Sequence, residues 1–331
     1  MRRLFPVLLI LLFPLFALLA QEPGITKSSF PFPLTPVLDA AGLTANEQGK
    51  STGDFWQPDW PLDLPPDAFK VQNGTIIRAA VEGNGYSLKL RYDPEGRVGE
   101  FPYLLNGSMA QVSLVYRSAL TVHELTLALL SGELSCSFEF LEYDDAYPSM
   151  VRVSCGEAWY FIALSKMGNV IMETWYDEEG IALGAYAFSL TEIGAASRIS
   201  AFRDYGNNGA DMEFFYDSRN LLTESSGFNG VFKVLYFRED LPRYWERRPL
   251  NAGETRESVG KFSLQWDEKD FLVSITAENG NLPDDAAECR YEYTLDGRGN
   301  WIERREIRML HRFGLLVPSP GTTFRRILEY N

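Results

Sequence analysis

The stretch YEYTLDGRGNWIERRE, residues 291–306, alternates, turns on an aspartate and two glycines, and alternates again. Alternation with a period of two is the pattern of a half-buried strand, and a short Asp/Gly cluster between two such runs marks a hairpin. The same unit recurs along the chain. An aromatic residue or Leu is followed by Asp, two further residues, then Gly, Asn or Asp. It appears as Tyr92-Asp93 to Gly96, Tyr176-Asp177 to Gly180, Tyr216-Asp217 to Asn220, Trp266-Asp267 to Asp270 and Leu295-Asp296 to Gly299, with a degenerate copy at Tyr143-Asp144.

The residue types explain the unit. Asp at the first turn position accepts a hydrogen bond from the backbone N–H two residues on. Gly, Asn or Asp at the last position tolerates left-handed φ. That pair suits a type I turn followed by a G1-type bulge, and the flanking aromatic covers the hairpin end. Asp93, Asp177, Asp217, Asp267 and Asp296 are therefore read as structural turn residues rather than a ring of metal ligands. YDPEGRV at 92–98 and LDGRGNWIERRE at 295–306 resemble the tyrosine-aspartate repeats of Rhs-type bacterial surface and toxin-shell proteins. The last unit, with RRILEY at 325–330, is also similar to exported bacterial proteins with a Y-D-x-x-G-N-W unit. The resemblance implies a hairpin-built sheet and no particular activity. Spacing here is irregular, Leu295 replaces the tyrosine, and the chain is too short for a toxin-enclosing shell.

Around these units, YSLKLRY, VSLVYRS, LSCSFEF, MVRVSC, VFKVLYF and FSLQW are alternating or β-rich, and Asn-Gly or Gly-Asn turns separate many of them. Aromatic residues form 14% of the chain, which favours strands. The predicted fold is all-β: antiparallel hairpin repeats over 71–331, forming one large curled sheet or an irregular meander. ALTVHELTLALL and LTEIGAAS are the best helical candidates, and the first reads as strand because of its β-branched start. Residues 21–70 differ. They hold eight of the 18 prolines, which resist both ladders and helices. DFWQPDWPLDLPPDAFK at 54–70 reads as an extended segment stapled to the main domain by its aromatic and leucine side chains, with 21–53 a flexible leader.

Residues 1–20, MRRLFPVLLILLFPLFALLA, carry Arg2 and Arg3, an uncharged run and Ala20 before Gln21. This is the pattern of a secretory signal peptide. It implies an exported protein, periplasmic or extracellular, with no stable membrane insertion after cleavage. The net charge of −14 repels nucleic acid, whose binding relies on Lys and Arg, and argues against docking on anionic lipid. An envelope protein or a glycan remains as partner.

Residues for chemistry are sparse. His123 and His311 stand apart, and His123-Glu124 lacks the second His of a zinc-protease helix. DYGNNGAD at 204–211 has Gly206 and Phe215 where a calcium loop wants ligands. No cofactor, metal or catalytic residue is assigned. Trp56, Trp60 and Trp301 are the candidate binding residues. Carboxylates near aromatics, such as Asp54, Asp59, Asp63, Asp144 and Asp145, keep open a glycan-active hydrolase working with an Asp/Glu pair. The leading expectation is a non-enzymatic envelope protein that binds or scaffolds, and an outer-membrane barrel is the weaker alternative. Cys136 and Cys155 meet on one apolar face if LSCSFEFLEYDDAYPSMVRVSC folds symmetrically about the loop near Asp145. Export would let a bridge there persist. Three buried free thiols, Cys289 included, are the alternative.

The first residue of the secreted form tests the export reading. N-terminal sequencing should place it near Gln21; an intact Met1 on the native protein would refute it.

Overall fold

The computed structural model describes residues 34–41, 68–69 and most of 71–331, apart from short connecting stretches of which 191–195, 204–211 and 249–259 are the longest. Among the described residues, one short α-helix, α1, spans Thr35–Ala40, and twenty strands follow. The first five are β1 Ile76–Gly83, β2 Tyr86–Tyr92, β3 Val98–Leu105, β4 Ser108–Tyr116 and β5 Val122–Leu129. Next come β6 Ser135–Asp144, β7 Tyr147–Cys155, β8 Ala158–Met167, β9 Val170–Tyr176 and β10 Ala182–Leu190. Then follow β11 Ala196–Arg203, β12 Met212–Tyr216, β13 Leu222–Gly227, β14 Gly230–Arg238 and β15 Leu241–Arg248. The last five are β16 Gly260–Trp266, β17 Leu272–Asn279, β18 Glu288–Leu295, β19 Trp301–Arg312 and β20 Leu315–Tyr330. The fold is thus almost wholly antiparallel β, as the alternation predicts. ALTVHELTLALL contributes β5.

Each strand pairs with its neighbours in sequence, and β1 pairs with both β2 and β20. The first strand therefore lies beside the last, over Ile76–Glu82 and Arg325–Tyr330.

The turn unit has one register wherever it occurs. The residue before the Asp pairs five residues beyond it, the next pair back lands seven beyond it, and the residue between is skipped. Tyr92 faces Val98 and Arg91 faces Glu100, which leaves Gly99 out. The same step leaves out Leu183, Thr223, Val273 and Ile302 after the other four units. A skipped residue is a β-bulge, which bends the strand and raises its twist. The local bonds are those the sequence predicts, with one addition. In the Asp296 turn, the Gly299 N–H donates to the Asp296 carbonyl at 3.1 Å and the Arg298 N–H donates to Oδ1 at 2.8 Å. The addition is the Asn300 N–H, four residues on, which also donates to Oδ1 at 2.9 Å. Asp177 and Asp267 repeat this arrangement. Gly96, Gly180 and Gly299 have φ of 82°, 81° and 84°, and Asp270 takes the place at 62°.

The sequence motif missed a sixth copy. Tyr116 faces Val122 and Val115 faces Glu124, which leaves His123 out. Here Arg117 stands in the Asp position, and the Ser118 hydroxyl accepts the Thr121 N–H.

The bulge also explains the aromatic residue. The pairing of β3 with β4 ends at Glu100 opposite Ser113. Two residues before Glu100, the Val98 carbonyl instead accepts the Tyr116 hydroxyl at 2.9 Å. Val122 takes the hydroxyl of Tyr143 in the same way, Leu272 that of Tyr293, and Pro242 the indole N–H of Trp266. The aromatic of one hairpin thus replaces the ladder bond that the bulge of the adjacent strand interrupts, which is a use for Tyr and Trp that Phe does not have. Burial pushes the Tyr116 and Tyr143 hydroxyls up to about 12, so both stay protonated donors near neutrality.

Alternation sorts the faces. On β6 and β7, Cys136, Phe138, Phe140, Val151 and Val153 are buried, while the residues between them turn outward. Phe138 stands opposite Val153, Phe140 opposite Val151, and Cys136 opposite Cys155. A disulfide joins the two cysteines, whose Cα atoms are 4.3 Å apart. Cys289 is a buried free thiol that burial pushes up to about 12, far from thiolate reactivity. The inner faces of β1–β10 form one core with Trp301 and Phe324; β15–β18 contribute a second around Trp245, Phe262 and Leu272. Among the described residues the inner face carries these two packed cores, and the sheet does not form an open-lumened barrel. An outer-membrane barrel has its apolar band outside; here the apolar side chains pack inward and Ser137, Glu139, Arg152 and Ser154 face out, which removes support from that reading.

The leader departs from the expectation of a flexible segment where it is described. Leu34, Val37 and Leu38 are fully buried, and α1 lies against the inner face. Glu173 holds it there. Its carboxylate accepts the Leu34 N–H at 2.7 Å, the Thr35 N–H and hydroxyl at 2.8 Å each, and the Trp175 indole at 2.6 Å. Burial pushes the Glu173 carboxyl upward, against these donors. Of the expected staple, Phe69 is buried in the same core, and residues 55–64 lie outside the described residues.

The last turn unit joins the segment before β1 to the end of β20. The Asn300 amide donates to the Asn73 carbonyl at 2.7 Å and accepts the Asn73 N–H at 3.1 Å. The Tyr330 hydroxyl donates to Asp296 Oδ2, and the Arg298 guanidinium lies over the Tyr330 ring at 4.1 Å.

Two stability predictions follow from these contacts. Burial disfavours ionised Asp296, yet bonds from Tyr330, Asn300 and Arg298 hold its carboxyl below the ordinary value. A depressed folded pKa gives stability that is present above about pH 4 and lost as pH falls further. Asp296→Ala should cost roughly 0.5 to 2 kcal/mol near neutrality, and melting of Asp296→Asn should vary less between neutral and acid pH than wild type. Equal pH dependence would refute the assignment. Replacing Cys136 and Cys155 together by Ser should lower the urea unfolding free energy by about 3 kcal/mol. An unchanged midpoint would show that the bridge adds nothing.

Candidate functional site

With the apolar faces turned inward, the outer face is where a ligand can be met, and β5–β8 organise it. Register places Thr126, Ser137, Ser154 and Trp159 in one row across the four strands. The adjacent row is Glu124, Glu139, Arg152 and Phe161. Each of these positions alternates with a buried apolar one, such as Leu125, Phe138, Val153 and Ile162, so the core on the inside fixes the polar array on the outside.

A shallow hollow on this face is lined by His123, Glu124, Ser137, Glu139, Arg152 and Ser154. The Ser137 hydroxyl donates to Glu124 at 2.8 Å, and Arg152 forms an ion pair with Glu139. His123 is the residue skipped by the sixth turn unit, so a bulge sets its place. An Arg117 guanidinium nitrogen lies 3.3 Å from its Nδ1. Beside the hollow, Trp159 is part-exposed and meets Phe161 edge to face at 5.4 Å. The patch offers donors from Arg152, Ser137, Ser154 and His123, acceptors from Glu124 and Glu139, and an aromatic surface next to them.

The two glutamates stand directly opposite each other on the outer sheet face. Among the described residues, no group of three or more His, Cys, Asp or Glu is placed to hold a metal ion.

Trp301, a binding candidate by sequence, requires correction. It is 1% exposed, with the Arg326 guanidinium over its ring at 4.1 Å and the Arg326 Nε donating to its carbonyl at 2.8 Å. It opens β19 on the inward phase, so it packs the core. Trp56 and Trp60 lie outside the described residues, as do Asp54, Asp59, Asp63 and residues 204–211. Asp93, Asp177, Asp267 and Asp296 sit in turns as described, and the turn after Asp217 lies partly outside the described residues. Asp145 has a φ of 55° in the turn between β6 and β7. Sequence reasoning missed Trp159 and Phe161, although AWYFIAL carried a signal. Its two phases are both aromatic, and one must face outward.

No known protein family matches the chain, and no curated protein does. Among solved structures, a porin-like protein from Bacteroides uniformis is 9% identical, with 78% of this chain and 99% of that chain covered and a TM-score of 0.32. A porin-like protein from Bacteroides vulgatus is 12% identical over 78% and 99%, with a TM-score of 0.29. A chain of the Photorhabdus luminescens Tc holotoxin pore is 13% identical, covers 71% of this chain and 16% of its own length, and has a TM-score of 0.24. Likenesses this loose carry no argument about function.

Proposed function

We propose that this chain is an exported, non-enzymatic protein of the bacterial envelope that binds glycan on the outer face of β5–β8. The observation that carries the reading is the Trp159–Phe161 pair beside the polar hollow. A sugar ring presents a C–H face that packs on an aromatic surface, and hydroxyls that both donate and accept. Arg152, Glu124, Glu139 and the serines supply both kinds of partner in a flat array. The acidic net charge of −14 favours a neutral glycan over an anionic polymer. The signal-like residues 1–20 and the bridge between Cys136 and Cys155 support an oxidising compartment outside the cytoplasm.

The test is retention of the chain from Gln21 onward on immobilised cell-wall and capsular glycans, followed by titration of any glycan that holds it. Trp159→Ala and Arg152→Ala should each weaken binding by roughly tenfold, as Trp and Arg carry most of the energy in such patches, with melting little changed. Retention of no glycan, or equal affinity of both variants and wild type, would refute the proposal.

A further inference from the structure

The β19–β20 hairpin extends past the rest of the sheet. β18 pairs with β19 as far as Met309, and β1 pairs with β20 only from Arg325 onward. Residues 310–317 therefore form a two-stranded ribbon, with His311 opposite Leu316 and Arg312 opposite Leu315. Its end is apolar. Phe313 is fully exposed, and Leu315, Leu316 and Val317 are exposed as well.

The tip turn is unusual. Phe313 has a φ of 53° and Gly314 a φ of 77°. A two-residue turn with both φ positive is best served by Asn-Gly, and a bulky residue at positive φ is an outlier. Phe313 gains no burial in return for that conformation. Folding alone does not account for it, and such outliers point to function.

Two observations indicate what the tip meets. First, Leu315 and Leu316 are consecutive on a strand, so they project to opposite faces while Phe313 caps the end. A tip apolar on both faces and at its end suits a surrounding apolar medium better than a one-sided groove. Second, the chain is acidic overall, but residues 307–324 contain Arg308, His311 and Arg312 and no Asp or Glu. Arg308 is held at the root of the ribbon by Glu306 and Asp284, and Arg312 and His311 stand exposed just behind the tip. The apolar end, with the Arg312 charge just behind it and no carboxylate on the ribbon, matches acyl chains beneath an anionic headgroup layer.

We infer that the β19–β20 tip is a membrane-docking finger that inserts Phe313, Leu315 and Leu316 into the surface of a bilayer carrying anionic headgroups. The contact is peripheral and reversible, since one small apolar tip gives only modest affinity. It overcomes the repulsion expected from the net charge because the acid-free ribbon keeps the acidic body away from the lipid.

The experiment is flotation of the chain from Gln21 onward with phosphatidylethanolamine vesicles, with and without phosphatidylglycerol. Wild type should float with both and more with phosphatidylglycerol, the difference disappearing at high salt. Phe313→Asn and the double variant Leu315→Ser/Leu316→Ser should each lower the bound fraction by roughly tenfold. Phe313→Asn also suits the turn, so it should melt at or above the wild-type temperature, whereas a structural role for Phe313 would lower it. Failure of wild type to float, or variants that float like wild type, overturns the inference. So does a wild-type oligomer that the variants disperse without any change in flotation, since the tip would then be meeting a second copy of the chain.

Discussion

The bulged turn is the constraint on which the rest of the molecule depends. Each copy reverses the chain and skips one residue, and the skip interrupts the ladder on the strand's other side. At Val98, Val122, Leu272 and Pro242 a neighbouring hairpin answers with a side chain: Tyr116, Tyr143, Tyr293 or Trp266 donates to the carbonyl beyond the break. In the unit at Trp266-Asp267 the turn aspartate and the aromatic beside it have different partners. Asp267 binds the backbone of its own turn, and Trp266 binds the backbone of a neighbouring hairpin. That division makes the repeat an inter-hairpin device. It lets the sheet bend at the bulges without leaving buried carbonyls unsatisfied, which would be costly. Where the segment before β1 meets the end of β20, Asn300 and Tyr330 take over this role, bonding to Asn73 and Asp296 across the contact of β1 with β20.

Bending the sheet this way creates an interior that apolar side chains alone do not fill. α1 enters it and brings backbone N–H groups with it. Glu173 meets two of these along with the Thr35 hydroxyl and the Trp175 indole. Further along, Arg304 lies over Tyr291 at 3.7 Å and Arg326 over Trp301 at 4.1 Å, both guanidinium groups buried. Burying charge is expensive unless it is met by hydrogen bonds or ring faces. These contacts place two arginines of an acidic chain on the inside.

The two surface features follow from the same geometry. On β5–β8 the inner face is core and the outer one is open, and there the cross-strand rows place Arg152 and Glu139 next to Phe161. The bulge after Arg117 sets His123 at the edge of that array. The finger is the place where the ladder outruns its neighbours, and there alternation no longer separates a wet face from a dry one. That is why Leu315 and Leu316 are both exposed despite being consecutive.

Much of the fold was legible because its signals are local. Period-two alternation identified strands such as Tyr86–Tyr92, Asp and Gly spacing identified the hairpins, and the symmetric loop near Asp145 brought Cys136 opposite Cys155. A side chain's phase on a strand, its turn and its cross-strand partner in one hairpin all depend on residues within about twenty positions. Phase alone does not say which face is inside. Trp301 read as a free aromatic and is core, whereas Trp159 is on the outer face. The sixth turn was invisible because Arg117 breaks the motif while the bulge it makes is the same. Contacts such as Glu173 with Thr35, separated by 138 residues, depend on how the sheet bends, and so do the neighbours each tyrosine meets. The sequence alone determined alternation and turns, because those are properties of the backbone over a few residues. Only the tertiary structure decided inside from outside, because that depends on which distant strands the bulges bring together.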